Sequence, residues 1–251
     1  MNSVQFKLRA WSAWAPGLGE PEAWSDWLDG RRSMESDGRP EVDFLPPLQR
    51  RRLSRMARMS FVGLESCRDA EAPEPPLVYA SRHGEVGRSF KLLESLARDE
   101  GLSPRDFSLS VHNATTGLYS IFRGNTEPSV AIAAGLDTFP TALVEAAVQA
   151  ADLARECLLV WVEEDLPEFY RPYLDGPVPT MVLGMRLAVP EAEARADMRL
   201  SWTGGVPGES QPACETDVLA ALMSVLLGRS PRTDWHGDRT QWRLEGDRVA
   251  T

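Results

Sequence analysis

The stretch "EPSVAIAAGLDTFPTALVEA", Glu127 to Ala146, decides the fold. Its opening, "PSVAIAAG" (128–135), is apolar on both faces, the composition of a strand in the middle of a covered sheet. Its end begins "TALVEAAVQAADLARE" (141–156), a strong helix. Between them lie Gly135, Leu136, Asp137 and Thr138. A strand that turns tightly into a helix is where an enzyme usually keeps its nucleophile. This turn holds no strong nucleophile.

The flanking segments repeat the alternation of strand and helix. Residues 4–11 alternate as an opening strand, which the Pro and Gly of "APGLG" stop. "EPEAWSDWLDG" suits a short helix, with Pro21 near its start, Trp24 and Trp27 three apart, and Gly30 to close it. Polar, Pro-rich residues 31–47 read as a loop, and Leu48 to Cys67 as one longer helix with a stripe of Leu53, Met56, Ala57, Ser60 and Leu64. "PLVYASRHG" is a buried strand running into a polar loop. "RSFKLLESLARDEG" is an amphipathic helix with Phe90, Leu93, Leu96 and Ala97 turned inward and Gly101 as its C-cap. "CLLVWVEED" and "TMVLGMRLAV" add interior-type strands, and a last helix near 216–227 precedes a tail carrying Trp235 and Trp242. Strands alternating with helices predict an α/β layered fold. The best candidate linker is "TGGVPGESQPACE" (203–215), which divides the chain into 1–203 and a C-terminal linker, helix and tail over 204–251.

Bulk properties narrow the function. At 251 residues the chain can bury a core without staples. A net charge of -10 argues against nucleic-acid binding, which needs a basic footprint. No apolar run is long enough for a bilayer, and Lys7 and Arg9 interrupt the N-terminal segment, so the expected compartment is the cytoplasm. Cys67, Cys157 and Cys214 are too few and scattered for a disulfide framework or a zinc site. No cofactor motif occurs: no Gly-x-Gly-x-x-Gly after a strand, no P-loop and no metal-ligand spacing.

The order and wording of the segments resemble the N-terminal half of a β-ketoacyl synthase, of thiolase-like fold. "HNATTG" (112–117) is similar to the family's Pro-Asn-x-Ala-Ala-Gly segment, with His112 in place of the Pro. "PSVAIAAGLDTF" (128–139) is similar to the strand and elbow that carry the acyl-accepting cysteine, and Leu136 falls at that cysteine. "CLLVWVEED", "TMVLGMRLAV" and, near the start, "AWSDWLDG" match further family segments in order. With "SRHGE" and "SVHNATTG", the pattern most resembles short bacterial chain-length-factor-like ketosynthase N-terminal domains, associated with aryl polyene pathways.

The resemblance implies a mixed sheet covered by helices, the N-terminal half of the thiolase-like fold, with a short C-terminal extension. It also implies two departures from catalysis. A condensing enzyme needs a thiolate to hold the acyl chain, and Leu136 supplies none. It needs two histidines from the second half of the fold to decarboxylate the extender and stabilise the enolate. The late histidine here, His236 in "DWHGDR", fits neither motif. The expectation is therefore a non-catalytic subunit paired with a full-length β-ketoacyl synthase, meeting acyl carrier protein through that complex. Ser129, Ala131, Ile132 and Ala133 would pair with the partner's equivalent strand; His112, Asn113, Thr115, Leu136 and Phe139 would shape its acyl tunnel.

Other residues admit two readings. Arg51, Arg55 and Arg58 would share one helical face, either docking an acidic carrier protein or lying as a solvated, internally paired face. His112 and Asn113 would position substrate or satisfy backbone groups in a turn. Ser81, His83 and Glu85 could form a Ser–His–acid site on the loop after a strand, but no Gly-x-Ser-x-Gly elbow accompanies them. The competing functions are a stand-alone acyltransferase or thioesterase, and an acyl- or carrier-protein-binding module acting alone.

Overall fold

Strand β1, Asn2–Trp14, is long enough to bind a different neighbour at each end, and the rest of the sheet is built on it. A computed structural model describes residues 2–174, 176–190, 197–205 and 212–246. After β1 come α1 (Pro21–Leu28), α2 (Pro47–Arg50), α3 (Arg55–Cys67), β2 (Leu77–Ala80), α4 (Val86–Ala97), α5 (Pro104–Ser108) and α6 (Ala114–Arg123). Then follow β3 (Ser129–Ile132), α7 (Thr138–Leu153), β4 (Cys157–Glu163), β5 (Met181–Ala188), β6 (Met198–Gly204), α8 (Glu215–Leu226), β7 (Arg232–His236) and β8 (Thr240–Gly246). Among the described residues the strands form one sheet in the order β3-β2-β4-β5-β1-β6-β8-β7. The trio β3, β2 and β4 is parallel and every other pairing is antiparallel.

The pleat distributes side chains to two cores. On β4, Leu158, Val160 and Val162 meet Met56, Phe61 and Leu64 of α3 and Tyr119 of α6. The alternate residues Leu159 and Trp161 join Phe139, Leu143 and Ala147 of α7, together with Leu219, Leu222 and Met223 of α8. A sheet covered on both faces explains why its central strands read as continuous apolar runs. α3 lies unusually close to the sheet: a Cβ on Gly184 of β5 would stand 2.2 Å from the Gly63 carbonyl oxygen, so both positions need glycine.

Several expectations change. The helix read over 48–67 is two, because the Ser54 side chain accepts from the Ala57 N–H at 3.0 Å and caps a new start. α4 forms, but its apolar side is not inward: Leu93 and Leu96 are exposed, and the C-cap is Arg98 rather than Gly101. β3 is covered on both faces yet lies at the sheet's edge, since two-faced apolarity reports covering and not pairing. The region after 203 contains the expected helix, α8, and also a hairpin, β7–β8, that continues the sheet through β6. Of the expected linker, residues 206–211 lie outside the described residues.

Candidate functional site

Ligands of open α/β sheets gather beyond the carboxyl ends of parallel strands. Here that edge brings together the elbow after β3, the loop after β2 and the end of β4. In the elbow, Gly135 takes a left-handed φ of +59° and Leu136 turns inward, 6% exposed. Thr138 ties the turn: its hydroxyl accepts from the Ala134 N–H at 2.9 Å and donates to the Gly135 carbonyl at 2.6 Å. The β7–β8 turn reaches the same place. The Leu136 N–H donates to Asp238 Oδ2 at 3.1 Å, and Trp242 Nε1 donates to Asp137 Oδ1 at 2.7 Å. Burial pushes the Asp137 carboxyl upward, and the Trp242 bond opposes the shift.

The second part of the site is a buried acid. Glu163, wholly buried at the end of β4, accepts from the Ser81 hydroxyl at 3.2 Å, the Arg82 N–H at 2.7 Å and Trp161 Nε1 at 3.1 Å. Burial outweighs those donors and raises its carboxyl to about 8. Arg82 pairs with the buried Glu215 of α8 at 2.9 Å. Burial, and next the charge of Arg82, lower the His83 imidazole. Ser81, His83 and Glu85 do not assemble as a triad: the Ser81 hydroxyl serves Glu163, while Glu85 accepts from Ser54 and Arg88. Cys67 and Cys157 are buried thiols raised to about 12 by desolvation, unsuited to nucleophilic attack.

The expected tunnel residues fall on both sides of the sheet. His112 Nε2 lies 2.8 Å from the Ser81 carbonyl, and its ring sits edge-on to Tyr79. Thr115 is buried and Asn113 exposed at the start of α6. Phe139 belongs to the opposite core, with its ring centroid 4.9 Å from that of Trp161. Of the expected interface set, Ser129 and Ala133 are exposed and Ala131 and Ile132 half-buried, all on the β3 edge or just beyond it. Arg51 does not share a helix with Arg55 and Arg58, because the break at Ser54 separates them. Arg55 faces Glu164 and lines a cleft of about 800 Å³ with Phe90, Lys91 and Leu166; Arg58 donates to the Arg50 carbonyl.

Reading the sequence missed Glu163, Glu215, Asp238 and Trp242. The available signal for Glu163 was an acid ending a fully apolar strand; Asp238 gave none beyond turn polarity. Among the described residues, no cluster of three or more His, Cys, Asp or Glu is placed to hold a metal ion, and no helix is long and apolar enough to cross a membrane.

A mixed sheet between helical layers, with a strand–turn–helix elbow at the end of its parallel strands, defines a thiolase-like α/β protein. The chain belongs to the β-ketoacyl synthase N-terminal domain family, whose profile matches residues 24–245. A chain from the complex of the ketosynthase ApeO with its chain length factor ApeC, from Xenorhabdus doucetiae, superposes with a TM-score of 0.80. It is 27% identical, with 96% of this chain and 99% of that chain covered. A chain of the ishigamide ketosynthase/chain length factor gives a TM-score of 0.64 at 17% identity, covering 91% of this chain and 73% of that one. A chain from a type II polyketide acyl-carrier protein in complex with its ketosynthase gives 0.59 at 13%, covering 82% and 70%. These last two likenesses establish the fold. No curated protein matches the sequence significantly.

Proposed function

We propose that this chain is a non-catalytic, chain-length-factor-like subunit that pairs with a full-length β-ketoacyl synthase and shapes its acyl tunnel in polyketide-type, aryl polyene chain elongation. The observation that carries this reading is the elbow: Leu136 is buried there, at the position to which the sequence resemblance assigns the acyl-accepting cysteine. An aliphatic side chain can neither attack a thioester nor release the acyl group. The ketosynthase–chain length factor pair among the similar structures supports the assignment, because the matched chain has nearly the same extent as this one.

The β3 edge supports the pairing. Ser129, Val130, Ala131 and Ile132 bond to β2 on one side, and these four uncharged residues end the sheet on the other among the described residues. An uncharged edge is a template for another strand. Ser129, Ala131, Ile132 and Ala133 form that contact, and carrier protein meets the complex rather than this chain alone, with Arg51, Arg55 and Arg58 as the candidate docking cations.

The test is co-expression with a full-length ketosynthase, followed by assay of both species. The complex condenses acyl and malonyl thioesters and the pure chain does not. Turnover by the pure chain, whether condensation or thioester hydrolysis, rejects the reading in favour of a stand-alone enzyme.

A further inference from the structure

A backbone N–H at a tight turn before a helix is well placed for an anion. In acyl transfer such a donor stabilises the oxygen of the tetrahedral intermediate, from about 2.7–3.1 Å. The Leu136 N–H is that donor in this elbow, and it is already engaged by Asp238 Oδ2 at 3.1 Å. The contact is not a loose one. A Cβ on Gly135 would lie 2.2 Å from Asp238 Oδ2, and one on Gly237 would lie 1.5 Å from Asp137 Oδ1. Both glycines therefore let the hairpin turn press against the elbow. The indole of Trp242, bonded to Asp137, is a second tie from the same hairpin.

We infer that Asp238 is a specificity-determining residue: its carboxylate holds the position that an acyl oxyanion would take and so bars acyl thioesters from this elbow. The carbonyl oxygen of an incoming thioester would meet a like charge and an occupied donor. Leu136 removes the nucleophile, whereas Asp238 removes the electrophilic assistance, so the two act separately. The inference rests on reading the elbow as a disabled acyl site, but it concerns this chain's own amide and needs no partner to be tested.

The first measurement is amide hydrogen exchange at Leu136 in the full chain. Asp238→Ala is expected to speed it by about tenfold or more, the loss of one charge-assisted bond, while Asp238→Asn keeps an acceptor and most of the protection. Unchanged exchange in Asp238→Ala overturns the contact. The second measurement places Leu136→Cys in the background and offers a small acyl thioester. The thiolate attacks the carbonyl carbon, a new thioester forms, and the original thiol leaves with a proton; intact mass reads the product against the native chain's own cysteines. Adding Asp238→Ala is expected to raise the acylation rate by about tenfold or more, by restoring one oxyanion donor. Equal rates with and without Asp238 overturn the inference. If Asp238→Ala fails to melt cooperatively, Asp238→Gly in the same background carries the test: it also frees the Leu136 N–H and is expected to acylate faster than its parent, and an equal rate overturns the inference.

Discussion

At Glu163 the fold holds a carboxyl group in a wholly buried site beside the Arg82–Glu215 pair. Its range rises from 4.5 to about 8 because burial penalises the charge more than Ser81, Arg82 and Trp161 relieve it. The native state therefore keeps this proton where the unfolded chain releases it. The stability it lends is full below about 4.5 and declines as pH climbs to about 8, by up to roughly 1.4 kcal/mol per pH unit. Urea midpoints measured from pH 5 to 8 should fall in the native chain, and Glu163→Gln should flatten that slope. An identical slope in the variant would show that the proton is not held there. Phe139 gives a second residue-scale outcome. Its ring packs on Trp161, so Phe139→Ala should cost about 3–5 kcal/mol, read by denaturant unfolding. In variants that still pair, the distribution of product lengths should shift while the first condensation proceeds. The elbow around Leu136 was legible because an apolar strand runs through Gly135 into a helix. Glu163 was not, because "VEED" reads as a solvated acidic run and two of its three donors come from a loop 81 or 82 residues away.

Elements were read well where one periodicity dominates and poorly where a local bond overrides it. The strands β2, β4 and β5 announced themselves as apolar runs, and α7 as an unbroken helix. The join between α2 and α3 turned on one hydroxyl, Ser54, in a run of arginines that continues the helical pattern. β6 alternates Met198, Leu200 and Trp202 with Arg199, Ser201 and Thr203, a period of two that the sequence reading left unassigned. The packing of α3 on β5 depends on backbone contact between Gly63 and Gly184, so Gly184→Ala should destabilise by about 3 kcal/mol. A melting temperature within a degree of the native value would disprove direct contact. The β3 edge yields the test of pairing: Ala131→Arg would bury an unpaired charge, worth several kcal/mol. The complex with a ketosynthase should then dissociate on size-exclusion chromatography, and an unaltered elution would exclude this strand from the interface.

Across the whole molecule, the strands β1 to β5 were legible in the sequence, and the extension through β6, β8 and β7 was not. β1 bridges the two, pairing with β5 through Lys7–Trp14 and with β6 through Asn2–Phe6. Which strand lies beside which depends on contacts across most of the chain, as between Asn2 and Trp202. Local patterns do not encode such pairings. The two ends of the sheet also differ in kind. β7 carries Arg232, Asp234 and His236 along its edge, whereas β3 carries no charge.

That difference bears on supply. A chain with one guarded edge and one open edge is a hazard when made alone, since the open edge accepts a second copy as readily as any other strand. Synthesis in excess of whatever covers β3 would feed self-association or degradation rather than a reserve of free subunits. With β3 paired to a ketosynthase as proposed, matched production of the two chains would follow from four uncharged residues, Ser129 to Ile132.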